Sequence, residues 1–203
     1  MPQRLLMYGS SAALAAGGVL MPNGALTATA AVMPHRAAAA TTAAGINIPA
    51  VDWSEVTDAP SGITARLPGE AEVVEFGESA CRDYSAETAD THVSVLFTVC
   101  DVQGTPKRSD LQAAADGATS SFRKEFGNVA VDSSTRETEF DGHPTLDLRL
   151  SVKDGGPEGK ISAHRYIADD SHFVIAQTVA DARNEESLNS THKRLIAGIR
   201  IPD

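Results

Sequence analysis

The sequence contains two cysteines, and both lie in a segment whose strand pairing follows from the residue pattern. Residues 92–102, HVSVLFTVCDV, alternate apolar and other side chains, which is the period of a strand with one buried face. Residues 80–88 precede them, and a two-residue turn at Asp90-Thr91 would join both segments in a hairpin. In that register Cys81 lies directly opposite Cys100. The chain is therefore expected to contain an antiparallel hairpin that holds its two thiols together.

A structural disulfide between Cys81 and Cys100 is the favoured interpretation of this register. Exported proteins with a small, even number of cysteines generally oxidise them. Two alternatives stay open at this point, namely two independent buried thiols and a catalytic thiol. The catalytic alternative has little support, because the sequence has no C-x-x-C motif and no basic residues patterned around either cysteine.

The N-terminal segment has the layout of a secretory signal peptide. Arg4 gives a positive start, residues 5–21 are uncharged and mostly apolar, and Pro22 breaks the run. A small-x-small pattern that ends at Ala30 matches the site that a signal peptidase reads. We predict a signal peptide over residues 1–30 with cleavage after Ala30. The alternative is a retained membrane anchor, since 17 residues is about the shortest span that crosses a bilayer.

Residues 31–50 are rich in alanine and threonine and have no apolar face that could pack on a domain. We predict a disordered spacer there, followed by a single domain over residues 51–203. That domain carries 15 basic and 27 acidic residues, a net charge of -12. Such a charge disfavours binding to nucleic acid or to anionic lipid surfaces. Membrane association is expected only if residues 5–21 remain as an anchor.

The remaining pattern predicts helices kept apart from antiparallel hairpins. A helix over residues 109–126 begins at a capping box of Ser109 and Gln112. The predicted hairpins turn at Asp141-Gly142 and at Asp169-Asp170, and Arg136 faces Asp147 across the first of them. The final helix covers residues 184–199. This order is typical of an α+β fold and not of a parallel α/β sheet.

Several phrases occur in an order that resembles the PsbP-like fold, and in particular small exported actinobacterial proteins and lipoproteins of that fold. They are ITARLPGEAEVV, HVSVLFTV, DGHPTLDLRLSV and HRYIADDSHFVIAQTV, with a long helix in the middle and a helix at the end. The resemblance covers about residues 53–203. It implies an antiparallel β-sheet flanked by helices, an α/β/α sandwich. Members of this fold are mainly accessory or binding proteins, and none of their functional residues can be matched here.

No metal or cofactor site is predicted from the histidines. Four of them lie on or beside predicted strands, namely His92, His143, His164 and His172. A metal ion needs ligands that converge on one side of the sheet. A two-residue turn at Asp169-Asp170 pairs His164 with Ile175 and sends His164 and His172 to opposite faces. We therefore expect no metal ligands and no bound cofactor.

No motif of catalytic residues stands out, so we expect a non-enzymatic protein. Acidic pairs such as Asp169-Asp170 and Glu185-Glu186 are interpreted as solvated turn and helix-start residues. Lys193 and Arg194 are interpreted as part of an ordinary polar helix face.

The function predicted from the sequence is that of an exported binding or accessory domain, secreted or held in the cell envelope, with an unidentified extracellular or envelope protein or ligand as partner. The alternative is an extracellular hydrolase built from scattered residues such as His143, Asp147 and His164. That alternative requires the three side chains to line one pocket with shifted pKa values. A structural or assembly role is a third possibility, and an exposed apolar patch would mark it.

Overall fold

A computed structural model describes residues 52–74, 80–126, 130–152 and 159–202. The predicted signal peptide with its cleavage site at Ala30, and the predicted spacer, lie outside the described residues.

The elements follow the order that the sequence predicts. They are β1 (Trp53–Thr57), β2 (Thr64–Pro68), β3 (Glu72–Val74), β4 (Cys81–Glu87), β5 (Ser94–Asp101), α1 (Arg108–Phe126), β6 (Val131–Phe140), β7 (His143–Val152), β8 (Lys160–Ala168), β9 (His172–Asp181) and α2 (Glu185–Ala197). Within the described ranges, seven strands form an antiparallel sheet in the order β3-β4-β5-β9-β8-β7-β6. Strands β1 and β2 form a separate hairpin.

The large sheet is the middle layer of a sandwich. One face packs on α1 through apolar residues such as Leu148 and Tyr166. The other face packs on α2 and the β1–β2 hairpin through residues such as Phe97, Ala176 and Leu195. The predicted α+β sandwich of helices around an antiparallel sheet is confirmed.

The β4–β5 pairing has the predicted register, with Cys81 opposite Cys100. The two sulfur atoms form a disulfide with an S–S distance of 2.08 Å. The connection is longer than the predicted two-residue turn, because β4 ends at Glu87 and β5 begins at Ser94. His92 takes a positive φ of 49° within that connection. The register survives because the alternation of buried residues, and not the turn, determines it.

Reducing the Cys81–Cys100 disulfide is expected to lower the free energy of unfolding by about 3 kcal/mol, the chain-entropy value for a loop of this size. Urea denaturation of the oxidised protein, of the reduced protein and of a Cys81→Ala/Cys100→Ala variant measures the change. The double variant should be insensitive to reductant and should unfold near the midpoint of the reduced protein. Equal midpoints for oxidised and reduced wild type would contradict the prediction.

The β8–β9 hairpin departs from the predicted register by two residues. The prediction pairs His164 with Ile175, whereas the structure pairs His164 with Gln177. The reason is the position of the turn: a hydrogen bond from the Asp169 amide to the His172 carbonyl closes it around Asp170 and Ser171, one residue later than predicted. An even shift leaves every side chain on its predicted face. His164 and His172 therefore still point to opposite sides of the sheet.

Helix α1 begins at Arg108, one residue before the predicted start at Ser109, and its capping interaction lies two residues before the predicted one. The carboxylate of Asp110 accepts a hydrogen bond of 2.8 Å from the Lys107 amide. Gln112 does not cap the helix but donates to Asp116 at 2.9 Å. The capping interaction is therefore present, with Asp110 in the position that the sequence assigned to Gln112.

The β1–β2 hairpin is fixed to the large sheet by a buried carboxylate. Asp58, in the turn of the hairpin, is 0% exposed. It accepts hydrogen bonds from Arg82 Nε at 2.5 Å, Tyr84 Oη at 3.0 Å and Ser61 Oγ at 2.6 Å. Arg82 also donates to the exposed carboxylate of Asp101 at 2.8 Å. Burial by itself would raise the pKa of Asp58, but the hydrogen bond from Arg82 and the others bring it below its ordinary value.

Candidate ligand-binding cleft

A cleft of about 530 Å³ lies between α2 and the end of the large sheet that carries β6, β7 and β8. Small-molecule sites generally have volumes in this range. The residues that line it are Ser134, Thr135 and Arg136 of β6, Asp147, Leu148 and Arg149 of β7, Ala163, His164 and Arg165 of β8, and Asn189, His192, Lys193 and Ile196 of α2.

The strand pairing explains why charged side chains gather here. The turn at Asp141 and Gly142 has positive φ at both residues, 48° and 87°, as a tight hairpin requires. This turn sets Arg136 opposite Asp147, and Asp147 in turn lies opposite Arg165. Residues opposite each other in an antiparallel sheet point to the same face. The three side chains therefore project together towards α2.

Asp147 is the acidic centre of the cleft. Arg165 donates two hydrogen bonds to its carboxylate, at 2.7 and 3.0 Å, in the fork geometry that a guanidinium provides. Arg136 donates a third at 2.8 Å. Burial alone would raise the pKa of Asp147, but the hydrogen bonds from Arg165 and Arg136 bring it below its ordinary value. Asp147 is thus ionised and fully engaged by the protein.

Helix α2 supplies the opposite wall. Arg149 donates to the amide oxygen of Asn189 at 2.8 Å and to the carboxylate of Glu185 at 2.6 Å. Because its oxygen is used in this way, Asn189 keeps its amide N–H groups as donors. Lys193 follows Asn189 by one helical turn, and within the described ranges its ammonium has no carboxylate partner.

His192 is a neutral polar group in this wall. Its Nδ1 lies 3.1 Å from the hydroxyl oxygen of Thr178. Burial, together with the positive charges of Arg165 and Arg149, lowers the pKa of His192 to about 4. At neutral pH it therefore contributes hydrogen bonding and not charge.

The cleft is positively charged on a domain that is otherwise strongly acidic. Four lining side chains are cations, namely Arg136, Arg149, Arg165 and Lys193, whereas Asp147 is the one carboxylate among the described lining residues. The domain as a whole has a net charge of -12. A local reversal of sign in a concave surface concentrates the field on an anion that enters it.

The comparisons with known proteins concern the fold and not the sequence. No protein-family model matches the chain, and no curated protein sequence matches it. The solution structure of cyanobacterial PsbP (CyanoP) from Synechocystis superposes with a TM-score of 0.52 at 10% identity, covering 80% of this chain and 99% of that one. The chain has the PsbP-like fold. LpqN, involved in cell envelope biogenesis of Mycobacterium tuberculosis, gives a TM-score of 0.48 at 12% identity over 75% of this chain and 91% of that one.

The PsbP-like domain does not bring the three residues of the hydrolase alternative together. Asp147 points into the cleft. His164 is among the lining residues, but its side chain is buried on the α1 face of the sheet, where it contacts Tyr166. His143 lies at the start of β7, where its Nδ1 is 3.6 Å from Asp169. The three side chains therefore do not line one pocket, as the hydrolase alternative requires.

His164 belongs to a buried hydrogen-bond chain, although its contact with Ser162 has the length of a catalytic pair. Ser162 donates to the main-chain oxygen of Thr178 at 3.2 Å, so it accepts the 2.7 Å hydrogen bond from His164 Nε2. His164 Nδ1 then accepts from the Tyr166 hydroxyl at 3.3 Å. Burial lowers the pKa of His164 to about 3 and raises that of Tyr166. Ser162 is 0% exposed, so this group is closed to substrate.

Other sequence interpretations change at the level of single residues. Asp169 is not a solvated turn residue, because it accepts from His172 Nδ1 at 3.0 Å and is largely covered. Lys193 lines the cleft, and the guanidinium of Arg194 lies 4.5 Å above the ring of Trp53. Two residues of the polar face predicted for α2 therefore make specific contacts, Lys193 with the cleft and Arg194 with Trp53.

Two further observations concern metal binding and helices that could span a membrane. Among the described residues, no set of three or more His, Cys, Asp or Glu side chains is placed to hold a metal ion. None of the helices in the described ranges has the length and apolar character needed to cross a bilayer.

Proposed function

We propose that this chain is an exported, non-enzymatic binding domain that acts outside the cytoplasmic membrane and holds an anionic group of its ligand in the cleft between α2 and β6–β8. The cleft carries this proposal, since it gathers four cations on a domain of net charge -12. The functional groups that face it are guanidinium, ammonium, amide and imidazole, which bind anions by charge-assisted hydrogen bonds. Its carboxylate, Asp147, is held by two guanidiniums and is not poised as a base.

Export rests on the sequence of residues 1–30 and on the disulfide. The positive start, the apolar run and the small-x-small pattern that ends at Ala30 form a secretory signal. The disulfide between Cys81 and Cys100 suits an oxidising compartment outside the cytoplasm.

The intact mass of the native protein tests export directly. We expect a soluble species that begins near Ala31 and is two hydrogens lighter than the reduced chain, recovered from the culture fluid or the cell envelope. A full-length, reduced species in the membrane fraction would overturn this part of the proposal. It would make residues 5–21 an anchor and leave both thiols free.

Binding of anilinonaphthalene sulfonate, a fluorescent aromatic anion, tests the cleft. Replacing Arg136 and Lys193 by glutamine should weaken its binding by about tenfold, equivalent to 1.4 kcal/mol. The control replaces Arg123 and Lys124, exposed on α1 across the sheet, by glutamine. Both double variants remove two positive charges, so a general charge effect would be equal in the two. Equal weakening, or none in either variant, would contradict the assignment of the cleft as the binding site.

A further inference from the structure

We propose that the cleft selects a compact dianion, such as a phosphate monoester or a dicarboxylate, attached to a small apolar body. This inference rests on the proposed function and specifies the ligand class of the same site.

The charge balance of the cleft sets the number of negative charges. Four cations line it, and two carboxylates oppose them, those of Asp147 in the cleft and Glu185 at its edge. The net charge of this set is therefore +2. A ligand with two negative charges would neutralise the site, whereas a monoanion would leave a net charge of +1.

Arg136 and Lys193 are the cations best placed to hold such a ligand. Arg165 uses both Nε and Nη2 on Asp147, so it positions that carboxylate. Arg136 uses Nη2 alone, and its side chain is 75% exposed. Lys193 is exposed as well and has no carboxylate partner in the described part of the chain. One cation on β6 and one on α2 thus face the same opening from opposite walls.

The size and surroundings of the cleft limit the rest of the ligand. Ala163 and Ile196 are apolar lining residues, and they can contact a small hydrocarbon or aromatic group. The volume of about 530 Å³ fits a small molecule. A long polyanion would extend beyond the cleft over a domain with a net charge of -12, which repels it. These features favour a single dianionic group over a polymer.

Four aromatic probes of similar size separate these requirements in an NMR titration of the labelled protein at pH 7.5 and constant ionic strength. Phenyl phosphate and phthalate are dianions at this pH, and benzenesulfonate and benzoate are monoanions. Shifts of the backbone amide signals of Arg136, Lys193 and their neighbours report binding in the cleft. We expect at least one dianion to bind about tenfold more tightly than both monoanions. Lys193→Gln should remove most of that preference, whereas Lys124→Gln should leave it unchanged.

The outcomes distinguish a phosphate monoester from a dicarboxylate, and they test the dianion inference separately from the proposed anion-binding function. Preference for phenyl phosphate indicates a phosphate monoester, and preference for phthalate indicates a dicarboxylate, and both support the dianion. Equal affinity for all four probes, at signals in the cleft, would overturn the dianion inference and leave the anion-binding function intact. Shifts confined to other parts of the protein, or no shifts, would overturn both.

Discussion

Replacing Asp58 with alanine is expected to lower the free energy of unfolding by about 3–5 kcal/mol, the usual effect of removing one member of a buried ion pair. The carboxylate is 0% exposed, and three side chains donate to it. Its loss leaves the half-buried guanidinium of Arg82 and the buried hydroxyl of Tyr84 without their partner. It also removes a polar link between the β1–β2 hairpin and the large sheet, which remain packed through apolar residues.

Asp101→Ala is the matched control for this prediction. It removes the other carboxylate bound to the same guanidinium, that of Arg82, but Asp101 is 53% exposed. Exposed pairs contribute about 0–1 kcal/mol, so the expected loss is small. Urea denaturation of both variants measures the difference. If the two variants lose similar stability, the burial of Asp58 does not account for the contribution of its ion pair with Arg82. A second comparison with Tyr84→Phe separates the hydroxyl contact from the ion pair.

The parts of the fold that sequence predicts well are those determined by local pattern. Asp141 and Gly142 favour one tight turn, and this turn places Arg136 opposite Asp147 as predicted. The hairpin at Asp169 and Asp170 has no such preference, and its turn lies one residue later than predicted, which changes the pairing by two residues. The faces were still predicted correctly, because the alternation of buried side chains is independent of the turn.

The cleft could not be predicted, because its walls come from elements distant in sequence. On β7 the side chains that alternate with the leucines include Asp147 and Arg149, and alone they resemble an ordinary solvent-facing edge. Only the packing of α2 across β8 and β9 gives that surface a second wall and makes it a cleft. One feature could have indicated the cleft, namely polar residues on a face of the sheet that a helix covers. Asp58 was missed for a similar reason, since one acidic residue in a turn gives no indication of burial.

Acidification is expected to destabilise the protein well above the pH at which carboxylates titrate. Burial, aided by the charge of His192, lowers the pKa of His164 from 6.5 to about 3. The pKa of His192 falls to about 4, chiefly through burial. Below pH 6.5 the unfolded chain binds protons at these two positions and the folded protein does not. The free energy of unfolding therefore decreases as the pH falls, by about 1.4 kcal/mol per pH unit for each histidine.

Carboxylates also change the free energy of unfolding as the pH falls. Some of them lower it, and others raise it. Asp58, Asp101 and Asp147 have lowered pKa values in the folded protein, so their stabilisation is complete above about pH 4 and is lost below it. Burial raises the pKa of Asp83, so protonation of that group favours the folded state as the pH falls. Between pH 6.5 and pH 4.5 the histidines therefore lower the free energy of unfolding, and the raised pKa values of Asp83 and Glu125 oppose this loss in part.

Urea denaturation at half-unit steps from pH 7.5 to pH 4.5 measures this dependence. Two histidines over two pH units account for a loss of about 5 kcal/mol between pH 6.5 and pH 4.5, and the wild type should lose less than this because Asp83 and Glu125 oppose it. His164→Gln should be less stable at pH 7.5, because it disturbs the hydrogen bonds with Ser162 and Tyr166. Its slope with pH should nevertheless be about half that of the wild type, since one proton-binding group is gone. If His164→Gln is less stable than the wild type by the same amount at every pH, His164 has a packing role without proton linkage. His192→Gln separates the second group, and its slope should decrease by a similar amount because its imidazole is also held neutral in the fold.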